Sequence, residues 1–304
     1  MRYRFSFLIF SFLILATGCK KDPAYFGDND PPYYEGIEDV LIENYVNRIF
    51  IDLIGREPLD SEMDSEVAAL KAANLSMDSR ESLLVKLQSD EAFIAGDTSY
   101  KRAYYQRIYD LNKARFMEGA SDSEIGLFAD IISAGITIDS IAGIWDDVAH
   151  GRGELAKLDA VLHSRQYYMD GEIEIADVCG AMINNAVYDD INMNTFNFIN
   201  ASFDNMFFRF PTEAEFYTGF NMVEDNIPGS LFGMSGQNKD EYINILTSSR
   251  EFYQGLIIWV YQQALAREAS AEEIALIMDE FYDTHDLQWV QREVLKTDEY
   301  AQFD

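Results

Sequence analysis

The sequence predicts an all-α protein of about four stacked helical repeats, carried behind an N-terminal signal and a flexible tether. Three observations make that prediction. A short motif recurs along the chain at helix–turn–helix spacing. Apolar residues between its copies fall at three- and four-residue intervals. Alternating Val/Ile/Thr runs and Asn-Gly turns, the marks of strands and hairpins, are nearly absent.

The first half of the motif places an aromatic six residues before an arginine and a glutamate six after it. It reads Phe50, Arg56, Pro58, Glu62; then Phe203, Arg209, Pro211, Glu215; then Tyr261, Arg267, Glu273. A fainter copy has Tyr109 and Arg115, with Ser121 to Glu124 arriving late. Each copy reads as the end of one helix, a loop and the start of the next. Pro58 and Pro211 are expected in the first turn of the second helix, where a missing N–H costs nothing. Asp60, Ser121, Thr212 and Ser270 are expected to cap it, with Glu62, Glu124, Glu215 and Glu273 favouring its positive end. The following helices carry apolar stripes such as Val67, Leu70 and Leu75, or Ile274, Ile277, Met278 and Phe281.

The second half of the motif is a leucine, a Ser or Thr two residues on, and then an aromatic. It appears as Leu87, Ser89, Phe93; Leu162, Ser164, Tyr167; Leu246, Ser248, Phe252; and Leu295, Thr297, Tyr300. The hydroxyl is expected to cap a short turn that packs the aromatic. Gly96, Gly171 and Gly255 each follow an aromatic by three residues. On this reading residues 37–171 hold repeats one and two, and residues 172–304 hold repeats three and four.

The stretch Val46 to Pro58, with its Arg48, Phe50, Asp52, Leu53, Gly55 and Arg56, is followed by Ser89, Glu91 and Phe93. Together they resemble a helical domain found beside cytochrome-like modules in planctomycete proteins. They also resemble secreted helical repeats with a Gly-Arg-x-Pro…Ser-Asp-Glu-Phe/Tyr signature, related in pattern to phycobilisome linkers. The resemblance implies a helical fold and carries over cap and packing residues rather than an activity. The chain lacks Cys-x-x-Cys-His, so no haem is implied.

At the N-terminus, Arg2 and Arg4 precede an apolar run from Phe5 to Leu15, which is too short to span a bilayer, and small residues lead to Cys19. Leu15 to Cys19 resembles the bacterial lipobox. That resemblance implies cleavage of residues 1–18 and acylation of Cys19, a membrane anchor through its lipid chains. Residues 19–36 then form the tether, polar and broken by Pro23, Pro31 and Pro32. Lys20, in place of a retaining Asp, implies passage to the outer membrane. Lys20, Lys21 and Asp22 resemble the surface-export signals of Bacteroidota lipoproteins, leaving periplasmic and cell-surface faces both open.

The chain carries a net charge of −30, and loss of Arg2 and Arg4 with the signal makes it −32. Such a charge disfavours nucleic acid and anionic lipid as partners. With 48% hydrophobic and 14% aromatic residues, the chain nevertheless has the means to build a core. Cys19 is taken by the anchor, which leaves Cys179 alone and no disulfide framework.

No catalytic residue, metal site or cofactor is indicated. His150, in the loop-like Ala149 to Gly153, His163 and His285 lack partners at ligand spacing. No nucleophile elbow or phosphate loop occurs, and Gly229 to Gly236 reads as a long connection or a binding loop. Asp190, Asn192 and Asn194 open like a calcium loop, but Thr195 and Ala201 stand where Gly and Glu are needed. The acid pairs Asp146-Asp147, Asp189-Asp190 and Glu272-Glu273 read as solvated faces. Two aromatic runs, Tyr100 to Phe116 and Phe196 to Phe210, read mostly as core. The expectation is a non-enzymatic binding or scaffold subunit at the outer membrane, docking a protein partner. A glycan-binding lipoprotein of an uptake system is the alternative, and an acid-pair hydrolase comes third.

Overall fold

Residues 36–94 and 97–303 are described in the computed structural model; the signal segment, Cys19, Lys20, Lys21, Asp22 and the tether lie outside them. The described chain is all-α. Helix α1 (Asp39–Ile49) runs into a π-helical turn, Phe50–Ile54, which Gly55 stops at φ +80°. Then come α2 (Asp60–Ala72), α3 (Met77–Ser89), α4 (Tyr100–Phe116), α5 (Asp122–Ala142), α6 (Trp145–Met169), α7 (Ile175–Ile183), α8 (Ala186–Asn192), α9 (Thr195–Phe207) and α10 (Glu213–Asp225). After a small hairpin follow α11 (Lys239–Ser248), α12 (Arg250–Leu265), α13 (Ala271–Thr284), α14 (Leu287–Leu295) and α15 (Asp298–Ala301).

The three clear arginine motifs form three copies of one knot. Arg56 forks onto Glu62 at 2.7 and 2.9 Å, Arg209 onto Glu215 at 2.9 and 2.8 Å, and Arg267 onto Glu273 at 2.9 and 2.7 Å. Each glutamate also accepts the N–H of its helix's N-cap residue, Leu59, Thr212 or Ser270, at 2.7 Å. Each guanidinium lies over the aromatic six residues before it: Phe50, Phe203 and Tyr261, at 5.6, 5.2 and 5.2 Å. One motif thus seals a helix end, a loop and a helix start with charge-assisted, bidentate bonds. Arg209 and Arg267 hold the Glu215 and Glu273 carboxyls down at about 2.

The second half of the motif closes the same knot. Glu251 and Glu299, each just before the aromatic, are second acceptors for Arg209 and Arg267; Asp97 serves Arg56 at 2.6 Å. Thr297 caps α15 by accepting the Tyr300 N–H, and Tyr300 is buried, as expected. In the other copies the expectation needs correction. Ser249, not Ser248, caps α12 by accepting the Phe252 N–H at 3.1 Å, because this copy carries one more residue before its aromatic. Ser89 donates back to Val85 O within α3, and Phe93 is 76% exposed rather than packed. Ser164 donates to Val161 O in the middle of α6, which continues through Tyr167 without a break.

Further corrections concern helix starts and the faint copy. Pro58 and Pro211 sit one residue before the N-caps Leu59 and Thr212, outside the first turn, and Asp60 is the first helical residue rather than the cap. Ser121, Thr212 and Ser270 do cap, each with its glutamate in a capping box. Arg115 makes no knot. It donates to Asn205 O and lies among the rings of Phe116, Phe208 and Trp259, at 5.1, 4.5 and 5.2 Å. Burial pushes it down to about 10, only partly offset by the nearby Asp204. Lys113 and Tyr109 bind Asp122 at that helix junction instead.

The residues taken for a connection, Gly229 to Gly236, form an antiparallel hairpin of β1 (Gly229–Leu231) and β2 (Met234–Gly236). Phe232 and Gly233 both take positive φ, the two-residue turn that fits strand twist. The Phe232 ring packs 5.3 Å from that of Phe207.

The last helices pack on the first. Tyr45 in α1 donates to Leu295 O at 3.2 Å, Arg48 donates to Tyr300 O at 3.0 Å, and Tyr300 donates to Asp52 at 2.7 Å. Arg80 in α3 meets Asp298 at 2.8 Å, and Arg292 in α14 donates to Gln88 at 2.8 Å. At the centre, α12 crosses α9 at Gly255, where a Cβ would lie 2.0 Å from Met206 O.

Candidate docking surface

Helix α5 begins in the Ser121–Glu124 capping box and ends where Gly143 adopts φ +75°. That glycine turns the chain back at once into α6, so the two long helices form an antiparallel hairpin. Almost all of the packing of α5 is against α6. Ile125 is fully buried at the base of the hairpin, and Ile132 and Ile136 are half-buried farther out. Gly151 lets the helices close: a Cβ there would lie 2.7 Å from Ile136 Cγ1. His150 and Gly151 to Gly153, which read as a loop, are helical, with Gly151 serving helix contact instead of a turn.

The opposite face of α5 has no such cover. Leu127, Ile131, Ala134, Ile138 and Ile141 follow one another at intervals of four, three, four and three, which puts them on one side of a helix. The four large side chains are 59%, 62%, 66% and 84% exposed. Ile144 and Trp145 extend the patch over the hairpin tip, Trp145 at 65% exposure. Exposed aliphatic side chains are unremarkable singly, but a contiguous row is the usual mark of an interaction site.

Its electrostatics are one-sided. From 122 to 142 there is no Lys or Arg, and the acids are Asp122, Glu124, Asp130 and Asp139. Asp122 is engaged by Lys113, and Glu124 by its capping box. Asp130 and Asp139, with Asp146 and Asp147 at the tip, have no ion pair among the described residues. By length and composition α5 could cross a membrane. Its partner α6 could not, because Asp147, Arg152, Glu154, Lys157 and Asp159 are spread along it.

The other sequence candidates fall elsewhere. Arg56, Arg209 and Arg267 hold helix junctions together. Cys179 is buried in α7, its thiol pushed up to about 12 by burial and donating to Asn112 Oδ1 at 3.3 Å. His163 stacks on Tyr167; His285 ends α13 and binds Glu174 at 2.5 Å. Glu273 is held by Arg267 and Asp189 by Lys239, while Asp146 and Asp147 stand in solvent. Among the described residues no cluster of three His, Cys, Asp or Glu could hold a metal ion. The cavity between Asp52, Arg107, Trp259 and Gln291 is about 40 Å³, room for about one water.

Of the aromatic runs, Tyr100, Tyr104, Tyr105, Tyr109 and Phe116 are core. So are Phe198, Phe203 and Phe207, but Phe196 and Phe210 are exposed. Phe196 joins Phe216, at 5.0 Å, and the exposed Tyr217 in a ledge on α9 and α10. The α5 stripe went unremarked in the sequence, although a run of 21 residues with a mean hydropathy window of 1.6 marks it. Comparison of the chain with protein-family models, with curated proteins and with solved structures finds no match.

Proposed function

We propose that the chain is an exported, lipid-anchored, non-enzymatic docking subunit of the outer membrane, tethered through Cys19 and holding a protein partner on the outer face of α5. The lipobox-like N-terminus supports the anchor, with Lys20, Lys21 and Asp22 as its sorting signal. The single observation that carries the docking role is the uncovered row Leu127, Ile131, Ile138 and Ile141. Covering those four side chains would release on the order of 5 kcal/mol gross, from 1.5–3 kcal/mol per fully buried aliphatic side chain. Ile144 and Trp145 add to it. That suits a reversible contact once the cost of association is met.

The test is a mild-detergent pull-down of the tagged chain beside an Ile131→Asp/Ile138→Asp variant. A stoichiometric protein partner retained by the parent and lost by the variant is the expected result. Equal retention by both removes α5 from the account.

A second reading, glycan binding for an uptake system, is favoured by the Phe196–Phe216–Tyr217 ledge, since exposed rings stack on sugar faces. Saccharide binding abolished by Phe196→Ala/Tyr217→Ala and untouched by the α5 changes would establish it instead.

A further inference from the structure

The α5 stripe repeats every 3.5 residues, the period of a seam between helices. From Leu127 to Ile141 it runs 14 residues, about 21 Å at 1.5 Å per residue, which matches four turns of a partner helix. Ala134 sits at its midpoint, so the closest approach falls where the side chain is smallest. We propose that the occupant of this seam is a basic amphipathic helix from another protein. Its apolar stripe fills the Leu127–Ile141 row, and its Lys or Arg residues meet Asp130 on the flank of that row and Asp146 and Asp147 at the hairpin tip. This rests on the docking reading above and adds the chemistry of the partner.

Charge decides among the candidate occupants. A second copy would lie antiparallel, with Ala134 against Ala134. That pairing would bring together two molecules of net charge −30, each with Asp130 on the flank of the seam and no Lys or Arg in α5 to meet it. A bilayer meeting this face would bring Asp130, Asp146 and Asp147 to its surface, where anionic headgroups would be repelled, and spanning it would require the charged α6 to enter as well. A basic helix meets neither obstacle. It supplies the cations that α5 lacks, at the flanking positions where coiled-coil partners are selected. Asp130, Asp146 and Asp147 have no ion pair among the described residues to give up.

The experiment uses the full chain in phosphatidylcholine nanodiscs and two synthetic three-heptad peptides. Both share one Ile/Leu stripe; one has Lys and the other Glu at the flanking positions. Binding is read by fluorescence anisotropy. The Lys peptide is expected to bind on the order of ten-fold tighter and to weaken as salt rises. The variant Asp130→Lys/Asp146→Lys/Asp147→Lys should reverse the preference, with an unchanged helical circular dichroism spectrum showing that it folds. Equal or tighter binding of the Glu peptide overturns the basic-partner inference and leaves the docking reading standing. Binding of neither peptide overturns both. Self-association abolished by Ile138→Asp assigns the seam to a second copy and overturns the inference. Brominated-lipid quenching abolished by Trp145→Phe assigns it to the bilayer, with the same consequence.

Discussion

Replacing Gly255 by alanine separates local from tertiary demands more sharply than any other single change. In isolation a helical Gly→Ala exchange stabilises by up to about 1 kcal/mol, because glycine has more conformational freedom to lose. In α12 the new methyl carbon would lie 2.0 Å from Met206 O, 3.1 Å from Met206 C and 3.4 Å from Phe207 Cα. A carbon and an oxygen do not approach within about 3 Å, so α9 and α12 must part by roughly 1 Å at their crossing. The obstacle is backbone, which has no rotamer to change. Overpacking of this kind costs about 1–3 kcal/mol, occasionally more. Separation also opens space around Phe203, Met206 and Phe252, at about 24 cal/mol per Å³ of residual cavity. The penalty outweighs the helix gain, and Gly255→Ala should lose about 2 kcal/mol or more in urea unfolding. Gly126→Ala, at a helical site in α5 with nothing within 4 Å of the added carbon, should instead be neutral or gain up to about 1 kcal/mol. If Gly255→Ala proves as stable as the parent, the close crossing of α9 and α12 is refuted.

Three further outcomes follow from the geometry. Glu215→Gln should destabilise the chain at neutral pH. Because the folded Glu215 carboxyl is held down at about 2 against a usual 4.5, its contribution is full above pH 4.5 and lost as pH falls towards 2. The stability difference between parent and variant should therefore shrink across that window, and a constant difference would show that the charge of Glu215 is immaterial. Cys179, buried and with its thiol pushed up to about 12, should resist a maleimide in the native chain and react fully in denaturant. Ile131→Asp/Ile138→Asp should leave the unfolding free energy from urea titration within about 0.5 kcal/mol of the parent, since both side chains face solvent; a larger loss would mean that α5 is covered within its own chain.

The helical class and the three arginine knots were legible because their physics is local. Arg56 reaches Glu62, and Arg209 reaches Glu215, across a single turn of chain, so a fixed six-residue spacing announces the contact. Glu251 and Glu299 carried a signal as well, each standing immediately before the motif aromatic, but their partner lies 42 or 32 residues away. The Ser and Thr caps were less secure, since a hydroxyl can equally turn back on its own helix, as Ser89 and Ser164 do. Arg115 shares the motif spacing without its glutamate, and a buried arginine among rings leaves no pattern along the chain. The motif glycines illustrate the limit. Gly255 is required by another helix's backbone, whereas Gly171 is required by its own positive φ and faces open space. That the α5 stripe lies bare could not be read for a related reason: apolar periodicity looks the same whether the chain covers that face itself or leaves it open.

The contact between the last helices and the first bears on how the protein must be made. An open row of repeats can settle one unit at a time, each new one resting on its predecessor. Here Tyr45 and Arg48 find their hydrogen-bond partners in Leu295 and Tyr300, some 250 residues later. The first of the described helices cannot finish folding until almost the whole chain has followed it. Contacts of such sequence separation slow folding and leave apolar surface open meanwhile. Losing only α15 would accordingly take Tyr300 O from Arg48 and the Tyr300 ring from Tyr45, so damage near one end of the described chain would be felt at α1, near the other.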